Sequence, residues 1–295
     1  MAAFDVPEVD YTRYTNRQLV AVPLAVLLVA LAVLGGWYVA TGSPVTPGID
    51  FTGGTELTIE TTASQGEVAA AFDGVAEPES IQQVQAGGGN TYIVTFQSTG
   101  VDALRSAANQ LPAAAGNEDA VQSISATSAA FGAEAQETAV LGVVIAFAGM
   151  SVLAFLLFRT FVPSLAIVLS AFSDIVVPLA VLNIVGAKLS LGTVAGLLMI
   201  IGYSVDSDIL LTNHVLRRSG DFYESAARAM RTGVTMTVTS IAAMAVMAIA
   251  AYLFGIDLLA SIGLVLVVGL TTDLVNTYMF NYALLRWYKF EGVAQ

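Results

Sequence analysis

Six stretches of this chain are long and apolar enough to cross a bilayer, and that restricts the folds open to it. A helix needs about 20 largely apolar residues to span roughly 30 Å of hydrocarbon. Residues 19–40, 139–158, 164–185, 191–211, 232–253 and 258–285 meet that length. Only 12% of the 295 residues are charged, against about 25% in ordinary soluble domains. A soluble core of this chain length would have to hide a large apolar surplus, so a membrane protein is expected. The net charge of −12 argues against a nucleic-acid partner. With no Cys there is no disulfide framework, thiolate metal site or thiol nucleophile.

The basic residues set the expected orientation, because short cytoplasmic segments carry the excess of Lys and Arg. With the N-terminus inside, Arg13, Arg17, Arg159, Arg217, Arg218, Arg228, Arg231, Arg286 and Lys289 fall on the cytoplasmic side. Only Arg105 and Lys188 fall outside. This predicts a multi-pass cell-membrane protein with both termini cytoplasmic and residues 41–138 extracytoplasmic. The first apolar run is longer than a signal peptide's and follows Asp5, Glu8 and Asp10, so it reads as an uncleaved anchor. The organisation expected is a cytoplasmic segment over 1–18, a first transmembrane helix over 19–40 and an external domain over 41–138. A five-helix membrane bundle over 139–285 and a cytoplasmic tail over 286–295 follow.

The external segment has its own pattern. Residues 56–60 alternate polar and apolar as a half-buried strand does. Residues 65–72 suit a helix, with Ser64 and Glu67 in the capping-box positions. Strands are expected at 81–85 and 91–96 around a glycine-rich turn at 86–90. A helix over 101–111, stopped by Pro112, and a strand over 121–126 complete the set. The predicted fold is therefore an α-helical polytopic membrane protein of six transmembrane helices, with an extracytoplasmic α+β ferredoxin-like domain between the first two. That domain carries 12 acidic residues and one basic residue, Arg105. A docking surface for cationic substrates is one reading; the scarcity of Lys favours the other, a solvating carboxylate shell from a halophilic source.

Ionisable residues inside spans are costly and mark function by default. Asp174, Asp206, Asp208, Arg231 and Asp273 are the candidates for a proton or sodium relay. The alternative is that they hydrogen-bond between helices and hold the bundle together. Asp206 and Asp208 lie about 200° apart around a helix and so face different neighbours. Pro178 falls near Asp174, and Thr232, Thr235, Thr237, Thr239 and Ser240 crowd the fifth span beside Arg231. Those hydroxyls either line a wet path or bond back to their own helix. The lone His214 has no second ligand beside it, so no metal site is expected.

Several of these segments resemble a known family. Gly48-Ile49-Asp50-Phe51-Thr52-Gly53-Gly54-Thr55 is similar to the G-(I/L)-D-F-x-G-G-T signature of the SecD/SecF protein-export membrane subunits. Gly202-Tyr203-Ser204-Val205-Asp206-Ser207-Asp208 resembles the G-Y-S-(I/V)-N-D-T segment of SecF-type members, and Arg231-Thr232 their R-T-x-x-T-S-x-T-T. The family's N-D-T aspartate falls on Ser207 here, and Asp206 instead matches the V-D aspartate of SecD-type members. Nothing in the resemblance transfers to Asp273.

The resemblance covers almost the whole chain and is closest to archaeal SecF-type members of the resistance–nodulation–division superfamily. It implies an export subunit paired with a SecD-like subunit beside the Sec translocon channel, in contact with membrane lipid and a translocating polypeptide. It implies coupling to the transmembrane ion gradient, with Asp206 favoured over Asp208. It implies neither a catalytic centre nor a cofactor, and no P-loop pattern points to direct ATP use. Two other readings are a small-molecule efflux transporter of the same superfamily and a structural subunit without ion coupling.

Overall fold

The computed structural model describes residues 11–84, 90–217 and 221–292. Six of its helices are long and apolar enough to cross a membrane. They comprise α1 (Asn16–Thr41) and, after the small external domain, α5 (Ala129–Phe158), α6 (Phe161–Val185), α7 (Leu191–Arg217) and α8 (Phe222–Leu253). The sixth is α9 (Asp257–Val275), carried on by a π-helical turn at Asn276–Asn281 and by α10 (Tyr282–Trp287). Helices α6, α7 and α9 form the interior, and α1, α5 and α8 turn most of their apolar surface outward. Lipid tails are as apolar as Leu, so close packing rather than water exclusion must join these helices. Small residues permit it: Gly196 lies against Val265, Gly269 against Ile200, and Gly263 against the backbone of Ala248.

Several helices start well before their apolar runs. Ser128 caps α5 by accepting from the Phe131 N–H at 3.2 Å. Asp221 caps α8 by accepting from Tyr223 and Glu224 at 3.1 and 3.3 Å. Polar and charged residues follow within the first turns, Glu134, Gln136 and Glu137 in α5 and Glu224, Arg228 and Arg231 in α8, so hydropathy alone sets the start too late. Arg228 and Arg231 consequently lie within α8 rather than ahead of it. Helix α7 likewise runs on past residue 211, so Asp208 is not near its end.

The external domain contains α2 (Ile49–Thr52), β1 (Gly54–Thr61), α3 (Gln65–Ala71), β2 (Ser80–Val84), β3 (Asn90–Phe96), α4 (Val101–Ala108) and β4 (Val121–Thr127). Its strands form one antiparallel sheet in the order β2-β3-β1-β4, which is the ferredoxin-like order. Of the expected hairpin turn only Asn90 falls within the described residues. Glu67 accepts from the Ser64 N–H and hydroxyl, both at 2.8 Å, and fixes the start of α3. Helix α4 stops at Ala108, short of the expected 111, though Leu111 still joins the core.

One face of the sheet packs Leu57, Ile59, Tyr92, Val94 and Phe96 against Val68 and Phe72 on the α3 side and against Leu104 and Ala108 of α4. Burying each large side chain of this set contributes roughly 1.5–3 kcal/mol. The opposite face, bearing Glu56, Gln82, Val84 and Ile93, has no helix of the domain upon it. Val84 and Ile93 instead close on Gly255 in the turn between α8 and α9.

At the other end of the molecule Arg286, which the charge count treats only as an orientation marker, is buried. Its guanidinium donates to the Tyr11 and Tyr14 carbonyls at 3.0 and 2.8 Å and to Asn16 Oδ1. It thereby ties the segment before α1 to α10.

Candidate functional site

The glycine-rich signature forms a strap that joins the external domain to the outer end of the bundle. Leaving α1, the chain runs beside the α6–α7 loop. The Leu189 N–H donates to Thr46 O at 2.8 Å, and the Gly48 N–H to Leu189 O at 2.7 Å. Asn183 of α6 donates to Pro44 O at 2.8 Å. Asp50 Oδ2 then accepts from the Leu191 N–H at 2.9 Å, capping the first turn of α7. A carboxylate there satisfies an orphan N–H and complements the helix dipole.

Phe51 is buried, and α2 lies on the first turns of α5, where Gly132 meets the Phe51 carbonyl group. Gly53 has φ 78° and ψ 160°, a conformation open essentially to glycine alone. A Cβ at Gly53 would stand 2.6 Å from the Ala129 backbone nitrogen. Gly54 then opens β1 against Thr127. The signature thus fixes the sheet to α5 and α7 at once.

The second group of functional candidates lies deep in the bundle. Asp174 of α6, Asp208 of α7 and Asp273 of α9 are 1%, 0% and 1% exposed. Ser204 donates to Asp174 Oδ2 at 2.6 Å, and Asn276 to Asp174 Oδ1 at 2.7 Å. Ser207 donates to both Asp273 oxygens at 3.0 Å. Thr277 Oγ1 lies 2.7 Å from Asp208 Oδ1 and 3.2 Å from Asp273 Oδ1, and Asn281 also donates to Asp208 Oδ1. Thr277 links two carboxylates, and Ser204 and Ser207 share one face of α7 with Asp208 through their spacing of three and four.

No Arg or Lys is among these donors. Asp208 Oδ2, Asn281 Oδ1, Ser170 Oγ and Ser173 Oγ are buried without a hydrogen-bond partner among the described residues. Leaving a bare carboxylate in such a place costs several kcal/mol. A proton or a cation on the cluster would remove that cost.

The π-helical turn builds the α9 side of the site. It holds Asn276, Thr277 and Asn281, which lie three, four and eight positions beyond Asp273 and share its face. Such turns occur often at functional positions. In α6, Pro178 has no N–H to give the Asp174 carbonyl, which loosens the helix beside the carboxylate.

Of the sequence candidates, the structure brings Asp174, Asp208 and Asp273 together. Asp206 and Tyr203 lie on an exposed face of α7, and Arg231 is exposed on α8. Gly202 has no neighbour against its Cα. Ser204 is buried and joins the cluster directly. Ser207, Asn276, Thr277 and Asn281 were not singled out as site residues by sequence reasoning. The spacing of Asp273, Asn276, Thr277 and Asn281 within an apolar run was the available signal.

Thr232, Thr235 and Thr239 of α8 bond back to their own helix. Thr235 donates to Arg231 O at 2.8 Å, and Thr239 to Thr235 O at 2.9 Å and Met236 O at 2.8 Å. Replacing Thr235 and Thr239 by Val is therefore expected to change the stability of the solubilised chain by less than about 1 kcal/mol, read by thermal unfolding. A larger loss would mean that these hydroxyls bond across helices. His214 Nδ1 lies 2.8 Å from Leu210 O, a local contact within its own helix.

The chain is similar to known proteins along nearly all of its length. A family model described as protein export membrane protein SecD/SecF, C-terminal, matches residues 108–291, and one for the SecD/SecF GG motif matches residues 39–65. The protein-export membrane protein SecF of Haloferax volcanii is 69% identical over 297 residues, covering 100% of both chains. That of Haloquadratum walsbyi is 62% identical over 301 residues, again 100% of both. SecF of Methanocaldococcus jannaschii is 35% identical over 278 residues, 91% of this chain and 94% of its own. The first two sources are halophilic archaea, in keeping with a carboxylate-rich outer domain. Among solved structures, that of SecDF, a translocon-associated membrane protein from Thermus thermophilus, is similar in fold with a TM-score of 0.69 at 20% identity. The match covers 96% of this chain and 39% of that longer one.

Proposed function

The chain belongs to the SecF family of protein-export membrane proteins, and from that premise we propose that it draws on the transmembrane ion gradient to assist Sec-dependent export. The observation that carries this reading is the cluster of Asp174, Asp208 and Asp273, buried side by side with hydroxyl and amide donors only. A carboxylate held this way takes up a proton or sodium ion when it opens to one side of the membrane and gives it up to the other. Asp208 is the loading group: it is fully buried, and the donors that stand against it among the described residues are hydroxyl and amide groups, those of Ser170, Thr277 and Asn281.

Loading alters the packing of α7 against α9. Helix α7 is capped at its outer end by Asp50, and α9 begins at the turn on which the sheet rests. A change at the cluster therefore reaches the external domain through two rigid helices, with no covalent chemistry. The similarity in fold to SecDF supports a SecD-like partner, completing a two-bundle assembly beside the translocon channel and its emerging polypeptide. The distribution of Lys and Arg supports both termini in the cytoplasm and residues 41–138 outside.

The test is export of a secretory polypeptide in membrane vesicles containing or lacking this chain, with the ion gradient intact or collapsed. The reading requires that the chain's contribution vanish when the gradient is collapsed. A contribution that survives collapse undiminished leaves a structural subunit. Affinity capture of the full chain from its native membrane is expected to recover the SecD-like partner.

A further inference from the structure

The external domain meets the bundle on a second side, distinct from the strap, and this contact is built differently. Here the helix-free face of the sheet rests on the outer ends of the helices. Lys188 of the α6–α7 loop pairs with Glu79 at the edge of β2. Gln82 reaches the Tyr252 carbonyl at 3.5 Å, a long hydrogen bond, and Val84 and Ile93 sit on Gly255. Beside them a cavity of about 290 Å³ opens between Gln83 and Val84 on one side and Tyr252 and Leu253 on the other. The strap is knit by backbone hydrogen bonds, whereas among the described residues this seam has one ion pair, one long hydrogen bond, two apolar side chains and a cavity.

The same face carries uncompensated charge. Glu56 stands on this face of β1, within electrostatic reach of Asp257 at the start of α9 and of Asp50 in α2. Its cross-strand neighbours are Thr95 on β3 and Ser125 on β4, neither of which can neutralise it. The basic side chain at the seam, Lys188, is engaged by Glu79.

We propose that the external sheet docks reversibly on the α8–α9 turn, and that Glu56 is the group whose charge releases it. Burial, then the charges of Asp257 and Asp50, raise the Glu56 carboxyl above its ordinary value of 4.5. A group whose value is raised in the docked state favours docking when protonated. That contribution is complete below the ordinary value and is lost as pH rises through the higher, docked one. Docking therefore tightens in acid, and ionised Glu56 pushes the sheet away from Asp257. The strap and the ferredoxin-like fold stay intact throughout. This inference stands on the seam and does not depend on the role of the buried cluster.

The chain has no Cys, so one introduced thiol reports on the seam alone. Val84→Cys would lie buried when the sheet is docked and open when it is released. A membrane-impermeant maleimide is applied to the full chain in native membranes at constant salt. The labelling rate is divided by that of an Asn109→Cys reporter on the exposed side, which removes the thiol's own response to pH. The ratio is expected to rise at least threefold between pH about 5 and about 8. With Glu56→Gln the rise is expected to shrink to the part that half-buried Asp257 supplies. Ile93→Cys, buried at the same seam, serves as a second reporter should Val84→Cys fail to accumulate. A flat ratio in the parent, or an equal rise with Glu56→Gln, overturns the proposal.

Discussion

Asp208→Asn is expected to leave the bundle folded while reducing export to the level of membranes that lack the chain. The substitution keeps size and shape, and the new amide oxygen can accept from Thr277 and Asn281 as Oδ1 does now. Its nitrogen would stand where Oδ2 lacks a partner, beside a cluster in which Asn281 Oδ1 is also unpaired. A gained hydrogen bond contributes about 1 kcal/mol, so stability should hold or rise slightly. Coupling should nevertheless fail, because an amide cannot load and release a proton or balance a cation's charge. Thermal unfolding of the solubilised chain and export in vesicles check the two halves separately. If export falls only together with stability, the cluster is a structural brace and the carboxylate has no coupling role.

The second large effect concerns the strap. Gly53→Ala places a side chain at φ 78° and ψ 160° and drives its Cβ to 2.6 Å from a backbone atom of α5. The conformation alone costs about 1–3 kcal/mol. The clash is with backbone in a capped first turn, which cannot rotate away, so the total should exceed about 3 kcal/mol. The expected result is a chain that accumulates poorly in the membrane and unfolds at lower temperature. Gly66→Ala is the matched control: Gly66 lies in α3 with open space about it, and Ala there should stabilise by about 0.5–1 kcal/mol. Equal tolerance of both substitutions would mean that the strap is not fixed to α5 as described.

Much of this architecture was legible in the sequence because its physics is local. Alternation marked the strands of the sheet, and Ser64 with Glu67 marked the start of α3. Apolar length marked the six spans. The starts of α5 and α8 were not legible, because charged residues such as Glu134, Glu137, Arg228 and Arg231 separate the caps Ser128 and Asp221 from the apolar runs. Helical period placed Asp206 and Asp208 on opposite faces without saying which face looks inward. That depends on Thr277 and Asn281, about seventy residues away along the chain. Asn276, Thr277 and Asn281 share a helical face with Asp273 by spacing alone, but nothing local says that this face meets Ser207 and Asp208 of α7. The reach of Asp50 to the first turn of α7 spans 141 positions and leaves no local trace.

Preference between the two α7 carboxylates is where sequence resemblance and structure part most clearly. Resemblance favours Asp206, whereas burial and hydrogen bonding favour Asp208. The most direct measurement is the gradient-driven share of export in vesicles carrying Asp208→Asn or Asp206→Asn, each compared with the parent at equal chain abundance. The buried cluster as coupling site predicts that Asp208→Asn removes this share and that Asp206→Asn retains most of it. Loss with Asp206→Asn and retention with Asp208→Asn would contradict it.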